Sequence, residues 1–419
     1  MATDQRPQRI VQKYGGTSVG SPERIAAVAD RVARTHAGGA HTTVVVSAMA
    51  GETNRLLGLA SDMAPDPHDR ELDVLLATGE QVTSALLAMA LHARGVPAVS
   101  LQGHQVRIAT DSAFGCARIK SIDVSRIESA FDRGQVVVVP GFQGSDHEQN
   151  ITTLGRGGSD TTAVALAGAL NADACEIYTD VDGVYTTDPR ICPDAVKLAR
   201  MSYDEMLELA SQGAKVLQIR SVECASRYQV PVHVRSSFND KEGTWVVPVE
   251  AGMEDVLVSG VAYDKNQAKV TLKGVPDRPG LAAAIFGPLS DANIVIDMIV
   301  QDVSEDGRTN LTFTCEADDA GAAEAKVCKI VEDLGLEGVT SSDHVAKVSV
   351  AGLGMRNHAG VAAKMFDLLA GEGINIQMIS TSEIKISVVV DRDEVERAVR
   401  ILHAGFVTGD EGASAQQAR

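Results

Sequence analysis

Three short segments carry the residue types that phosphoryl chemistry needs. Lys13-Tyr14-Gly15-Gly16-Thr17-Ser18 follows an apolar stretch. Its adjacent glycines let backbone N–H groups approach phosphate oxygens, and Lys13 adds a fixed positive charge. Thr153-Leu154-Gly155-Arg156-Gly157-Gly158-Ser159-Asp160-Thr161-Thr162 gathers three glycines, an arginine, hydroxyls and a carboxylate at the opening of a helix. A guanidinium such as Arg156 grips a carboxylate through two parallel hydrogen bonds, and a helix start favours an anion. The third segment runs from Thr179 and Asp180 through Asp182, Gly183 and Tyr185 to Arg190. It reads as a nucleotide-edge loop, with Tyr185 against a base and Arg190 near phosphate. Local pattern alone leaves plainer readings open: Lys13 as a surface lysine beside a turn, and Asp160 as a helix cap.

Other chemistries are excluded by spacing. No Gly-Lys-Ser/Thr follows a glycine as a P-loop requires. Gly352-Leu353-Gly354 reaches Asn357 where a dinucleotide fingerprint needs its third glycine. The Asp180-x-Asp182-Gly183 spacing hints at calcium, but the twelfth-position glutamate and flanking helices are missing, so no metal site is assigned to the chain. The six cysteines are scattered without a C-x-x-C pair and read as reduced, mostly buried small hydrophobes. The net charge of −18, with no basic block interleaved with aromatics, repels nucleic acid. No apolar run approaches the ~20 residues that cross a bilayer. The polar start, Met1 to Arg9, lacks the apolar core of a signal peptide, so the cytoplasm is the expected location.

These segments must be held by an α/β unit. Short Val/Ile/Thr-rich stretches at 10–13, 43–47, 98–101, 136–140, 176–179 and 232–234 read as buried, largely parallel strands. Helical spacing covers 22–35, 70–94, 159–170, 203–211 and 215–228, with Ser21-Pro22 and Ser159 as helix starts. A chain of 419 residues exceeds one ordinary core. After Trp245 the stretch 246–255, with Pro248, Gly252 and acidic residues, suits a domain junction. An offset of 80 positions then superimposes Gly280 on Gly360, Phe286 on Phe366, Leu289 on Leu369, Ile294 on Ile374 and Met298 on Met378. The copies read 269–274, 281–292, 295–301, 311–315, 320–334 and 347–351, 361–371, 376–380, 384–390, 394–403. This is the ferredoxin-like βαββαβ order, and the two copies are expected to pair side by side. The expected division is 1–250 as the catalytic domain, 265–340 and 345–408 as the two modules, with 254–263 completing the pair, and 409–419 as a disordered tail.

Taken together, the Lys13 to Ser18, Gly155 to Thr162 and Thr179 to Arg190 segments resemble the aspartate kinases of the amino-acid kinase superfamily. The likeness runs from about Ile10 to Phe406. It extends to Ser47-Ala48-Met49, Thr78-Gly79-Glu80 and the tandem ACT modules ending in Ile379-Ser380-Thr381-Ser382-Glu383, in the manner of the actinobacterial type. The resemblance implies an amino-acid kinase fold, a mostly parallel sheet sandwiched by helices, followed by two ACT modules. It implies transfer of the ATP γ-phosphoryl group to the β-carboxylate of L-aspartate, the first step towards lysine, threonine and methionine. By the same resemblance Lys13 and Lys215 stabilise phosphoryl charge, Gly15 and Gly16 supply backbone donors, and Asp160 organises the lysines. Arg156 clamps the α-carboxylate, Glu80 receives the α-ammonium, and Ser47, Thr53 and Ser159 fix the acceptor. Thr179, Asp180, Tyr185 and Arg190 hold ATP, with Mg2+ on the triphosphate and water. Glu80 as a surface residue and Lys215 as a solvated helix-start lysine are the plainer alternatives.

The tail departs from the pattern of regulated relatives. Asp277-Arg278-Pro279-Gly280-Leu281 stands where Asp-Lys-Pro-Gly-Glu is usual, and Asp302 follows Gln301 in place of Asn. Ala359 and Gln377 replace Pro and Glu in the second module. Asp277, Gly280, Gln301 and Asn375 are the regulatory positions at which lysine or threonine is expected at an ACT interface, and Leu281 predicts weakened or altered feedback. Arg107, where relatives usually carry Gly, leaves room for a modified aspartate as substrate. The expected assembly is a homo-oligomer, or α2β2 with a regulatory subunit starting near Met253. Competing readings are a glutamate-type carboxylate kinase, whose relatives lack the ACT tail, and a non-catalytic amino-acid sensor. The presence of Lys13, Glu80, Arg156, Asp160 and Lys215 together disfavours the sensor.

Overall fold

The computed structural model describes residues 6–213, 216–301 and 307–408. An eight-stranded sheet carries the first unit, in the order Arg200–Ser202, Thr244–Val247, Val232–Ser236, Ala174–Thr179, Arg9–Tyr14, His41–Val46, Val136–Pro140, Ala98–Ser100. All neighbours are parallel except the pair Val232–Ser236 and Thr244–Val247. Val44 to Val46 and Val136 to Val139 are fully buried. Continuous valine runs are what a parallel strand covered on both faces looks like, and each buried valine contributes roughly 1.5 kcal/mol or more. One face packs on the helices Pro22–Ala37 and Asp69–His92 through Ile25, Val28, Leu87 and Leu91. The other packs on Ser125–Phe131, Gly158–Ala169, Tyr203–Ser211 and Ile219–Tyr228 through Ile127, Leu166, Met206 and Val222.

Several expectations change. Asp69–His92 is long and apolar enough to cross a bilayer by length and composition, although no single run is uninterrupted. It packs here as a half-buried core helix, with Asp73 and Glu80 buried on it. The expected helix 215–228 begins only at Ile219, and Lys215 lies outside the described residues. Ser159 is not a helix start: the helix opens at Gly158 behind Gly157, without a side-chain cap. Ser21 does cap its helix, accepting from the Arg24 N–H with Pro22 in the first turn. Val246 and Val247 still belong to the last strand of the sheet, so the junction follows them. The helices Glu52–Met63 and Ser125–Phe131 and a four-stranded sheet (Ile119–Ser121, Ala109–Thr110, Gln143–Ser145, Ile151–Thr153) are additions. Of the six cysteines, Cys175, Cys192 and Cys315 are buried, Cys224 is half-buried, and Cys116 and Cys328 are exposed.

The repeats share one six-stranded antiparallel sheet, in the order Ile296–Gln301, Arg308–Glu316, Gly260–Pro276, Gly338–Ala351, Lys385–Asp391, Met378–Thr381. Its two central strands serve both copies. Lys269 to Lys273 pairs with Gly338 to Ser342 beside the first copy, while Gly260 to Asp264 pairs with Lys347 to Ala351 beside the second. Each copy's closing strand thus comes from the segment that belongs to the other, and the two units are fused rather than merely adjacent. The stretch 409–419 and Asp302 lie outside the described residues.

Candidate active site

Four central strands end at the same edge of the sheet, where ligands of open parallel sheets sit. Strand alternation decides which side chains reach the site. Gln12 and Tyr14 point to the Pro22–Ala37 side, where Gln12 donates to Thr35 and Tyr14 stacks on Tyr178 at 4.7 Å. Lys13 therefore points to the opposite side, beneath the Gly158–Ala169 helix. Its Nζ lies 2.5 Å from Asp160 Oδ1, and both residues are more than nine-tenths buried. Asp160 sits in the first turn without capping it; its partner is Lys13.

The loop before that helix is possible only with glycine. Gly157 has φ +70°, and a Cβ there would lie 1.8 Å from Gln218 Cγ. With glycine at the N-cap, the helix's first amides have no side-chain cap and present a partial positive charge at this end of the helix. Ser159 is buried against Gly141, where a Cβ would stand 2.7 Å from Ser159 Oγ. Thr162 Oγ1 donates to Gly158 O and accepts from the Phe142 N–H, which locks the turn after Val136–Pro140 to the helix. Arg156 is exposed, and its guanidinium carries no hydrogen bond or ion pair among the described residues. At the end of the first strand, Gly15 donates its N–H to Tyr178 O and a Cβ on Gly16 would stand 3.0 Å from Ala48 O.

Across the site, Glu80 Oε1 accepts the Ala48 N–H at 3.1 Å, and Oε2 is buried without a hydrogen bond. Gly79 makes this approach possible, because a Cβ there would lie 2.8 Å from Ala48 Cβ. Burial pushes the Glu80 carboxyl up to about 7, against the opposing pull of the Ala48 hydrogen bond. Glu80 is thus no surface residue. Ser47 is half-buried, with its N–H on Tyr14 O, and Thr53 is exposed in the first turn of Glu52–Met63.

The third segment gathers less tightly. Thr179 Oγ1 donates to Asp180 Oδ1, and Asp180 is exposed. Tyr185 OH donates to Asp182 Oδ1. Arg190 is exposed and forks onto Asp188, whose carboxyl it holds down at about 2, with Tyr263 OH also donating to that carboxylate. Its guanidinium is therefore committed to Asp188. Arg107 has a left-handed backbone, φ +44°, and its exposed side chain lies 3.6 Å from Asp123. In the second unit Asp277, Gly280, Leu281 and Gln301 line a cavity of about 350 Å³. Asn375 is exposed before Met378–Thr381, outside that cavity.

The sequence reading missed Asp73. Only 1% exposed, it accepts from Thr153 N–H, Thr153 Oγ1 and Gly115 N–H. A signal was present: Asp73 lies seven residues before Glu80 on one helix, the spacing of two turns on one face, and both stand among Leu76, Ala77 and Gly79 on the buried side.

Residues 8–236 match the amino acid kinase family, and 270–332 and 348–406 each match an ACT domain. The chain is 56% identical over 398 residues to an aspartate kinase of Stutzerimonas stutzeri (strain A1501), spanning 95% of this chain and 97% of that one. It is 49% identical over 405 residues to an aspartokinase of Mycolicibacterium smegmatis, spanning 96% of each. The crystal structure of E. coli aspartokinase III in complex with aspartate and ADP superposes with a TM-score of 0.78 at 27% identity, covering 95% of this chain and 99% of that one. The same enzyme in complex with lysine and aspartate gives 0.77 at 27% identity, with the same coverage.

Proposed function

Because the chain belongs to the amino acid kinase family, among its aspartate kinases, we propose that it transfers the γ-phosphoryl group of ATP to the β-carboxylate of L-aspartate, giving 4-phospho-L-aspartate and ADP. The acceptor carboxylate has an ordinary pKa of ~3.9, so it is ionised at neutral pH and needs no general base. Positioning and charge neutralisation must supply the rate. The observation that carries the reading is the Lys13–Asp160 pair under the helix start, at the end of a strand whose Gly16 lies against Ala48, the residue that holds a buried Glu80 with one oxygen unsatisfied.

In this reading Lys13 neutralises charge on the transferred group, assisted by Lys215 and by the Gly16 amide, with the Gly15 amide joining only by leaving Tyr178 O, and Asp160 holds Lys13 in place. Arg156 takes the α-carboxylate of aspartate and Glu80 its ammonium, with Ser47, Thr53 and Ser159 fixing the acceptor. Thr179, Asp180 and Tyr185 bear on the nucleotide, and Arg190 reaches it only by loosening its grip on Asp188. Magnesium would ride on phosphate oxygens and water: Asp160 is occupied by Lys13, which leaves the exposed Asp180 as the carboxylate at these strand ends that fits it. Bound there, the ion supplies charge neutralisation on the triphosphate.

The reaction would open the route to lysine, threonine and methionine. Leu281, which begins the helix Leu281–Asp291 at the rim of the second-unit cavity, offers no partner to an effector's ammonium, so feedback by lysine plus threonine is weakened. The assembly proposed is a homo-oligomer. A regulatory subunit starting near Met253 would begin in the turn Met253–Asp255, where Met253 is buried with Val247, Leu353 and Ile384. The test is ADP release with L-aspartate and MgATP while hydroxylamine traps the acyl phosphate. Hydroxamate in step with ADP is the expected result, and ADP release without hydroxamate would overturn the reaction assigned.

A further inference from the structure

We propose that Asp73 is a positioning residue for the amino-acid acceptor: it fixes the loop that carries Arg156 to the same helix that carries Glu80. The proposal rests on the reading that Arg156 and Glu80 hold the two charged groups of aspartate.

Asp73 is a buried carboxylate whose described partners are uncharged. Thr153 N–H donates to Oδ2 at 2.7 Å, Thr153 Oγ1 donates to Oδ1 at 2.6 Å, and the Gly115 N–H lies 3.0 Å from each oxygen. Burying a carboxyl group is costly unless its oxygens are hydrogen-bonded, and here both are, so the group ties Thr153 and Gly115 firmly to the helix. Thr153 is three residues ahead of Arg156. Gly115 touches the same loop again: a Cβ on Gly155 would lie 3.0 Å from Gly115 O. From the opposite side, Arg220 donates to Leu154 O and to Ala117 O, and the Ala117 N–H donates to Thr153 O. The backbone leading to Arg156 is thus clamped between Asp73 and Arg220.

The second anchor stands on the same element. Glu80 follows Asp73 by seven residues on Asp69–His92, about two turns or roughly 10 Å along one face. One rigid helix therefore sets the distance between the group that receives the ammonium and the loop that receives the α-carboxylate. The nucleotide-side residues Thr179, Asp180 and Tyr185 lie at and beyond the end of Ala174–Thr179, and among the described residues they make no hydrogen bond to Asp73 or its partners. Loss of Asp73 must then be felt by aspartate and not by ATP.

The test is steady-state kinetics on four variants of the full chain. Asp73→Asn puts an amide donor against donors, and it should raise KM for L-aspartate about tenfold, the effect of one unsatisfied buried donor, with KM for ATP within about twofold. Thr153→Val removes one hydroxyl and keeps the N–H; it should move the same constant in the same direction by less, and it preserves the test where Asp73→Asn does not fold. Arg156→Ala should itself raise KM for aspartate, and Asp73→Asn added to Arg156→Ala should raise it little further, because both act through one guanidinium. An unchanged KM for aspartate in Arg156→Ala sinks the assignment of Arg156. A large effect of Arg156→Ala, with Asp73→Asn and Thr153→Val silent, additive to it, or acting equally on ATP, sinks the positioning role alone.

Discussion

Replacing Glu80 by Gln separates what this carboxylate costs the fold from what it gives the site. Burial holds its carboxyl at about 7 against an ordinary value of 4.5, a difference that amounts to about 3 kcal/mol against the ionised form. The folded protein therefore keeps a proton that the unfolded chain releases from pH 4.5 upward. Stability contributed by the neutral acid is present at low pH and is lost as the pH rises towards 7; above about 8 both states are ionised and the full cost is paid. Glu80→Gln keeps the acceptor for the Ala48 N–H and removes the charge. It should leave stability little changed at pH 5 and gain up to about 3 kcal/mol at pH 8, read as a rise in Tm of several degrees. Activity moves the other way. In the free enzyme about a tenth of Glu80 is ionised at pH 6 and about nine-tenths at pH 8, so KM for L-aspartate should fall about tenfold across that interval. Aspartate's own carboxylates and ammonium do not titrate there, so the slope belongs to the enzyme. Glu80→Gln should give a high KM that does not change with pH. A flat profile in the parent enzyme, or an equal stability gain at pH 5 and pH 8, would refute the desolvated carboxylate as the ammonium acceptor.

Three further outcomes follow from distances. Lys13→Met should lower kcat by a factor on the order of 100 to 1,000, the effect of losing one preorganised charge at a developing anion. With Asp160→Ala added, the double variant should fall short of the summed losses because the pair is in direct contact; strictly additive losses in stopped-time ADP assays would contradict the pairing. Gly157→Ala meets both φ +70° and Gln218, so it should lose at least about 1–2 kcal/mol in chemical denaturation, and Gln218→Ala should restore only the part due to space. Leu281→Glu should lower the concentration of lysine plus threonine needed for half-inhibition by about tenfold, the worth of one charge-assisted hydrogen bond; inhibition of the parent enzyme as strong as that of the variant would refute weakened feedback.

The parts that were legible in the sequence are those in which neighbours in the chain are also neighbours in space. Val136–Pro140 and Tyr203–Ser211 have the bounds their patterns predict, and the Ser21-Pro22 start caps its helix. Lys13 and Asp160 are placed by alternation along one strand and by the first turn of one helix, and they meet. Asp73 was missed for the opposite reason: its spacing from Glu80 marks a shared helix face, but the donors that give it a role lie 42 and 80 residues away, so taken locally it reads as a solvated residue. The four-stranded sheet has strands of two or three residues, too short to show a period of two. The 80-residue offset found the repeat but not the exchange of closing strands, because Gly260–Pro276 is interrupted by register shifts near Asp264 and Leu272. The loop and the family resemblance place Arg190 near phosphate; its pairing with Asp188, two residues away, is a contact that neither anticipates.

The fused sheet also explains why the third segment gathers least. Ile191 and Cys192, at the end of that loop, are buried in the core of the second repeat with Val258, Val261 and Met365. Thr186 Oγ1 is bonded to His403 on the last helix, Thr186 O accepts the Val261 N–H, and Arg400 donates to Ile191 O. Tyr263, on the same shared strand, donates to Asp188 and presents its carbonyl to Gly213, where a Cβ would lie 2.2 Å away. The loop from Val184 to Cys192 therefore rests on the shared strand and the last helix of the second unit, and Gly213 rests on the same strand, whereas the described partners of Lys13, Glu80 and the loop before Arg156 all belong to the first. A shift of that strand would alter the side of the site assigned to ATP before it altered the side assigned to aspartate. Under the proposed assignment, packing alone couples the ATP side of the site to the ACT repeats more closely than the aspartate side.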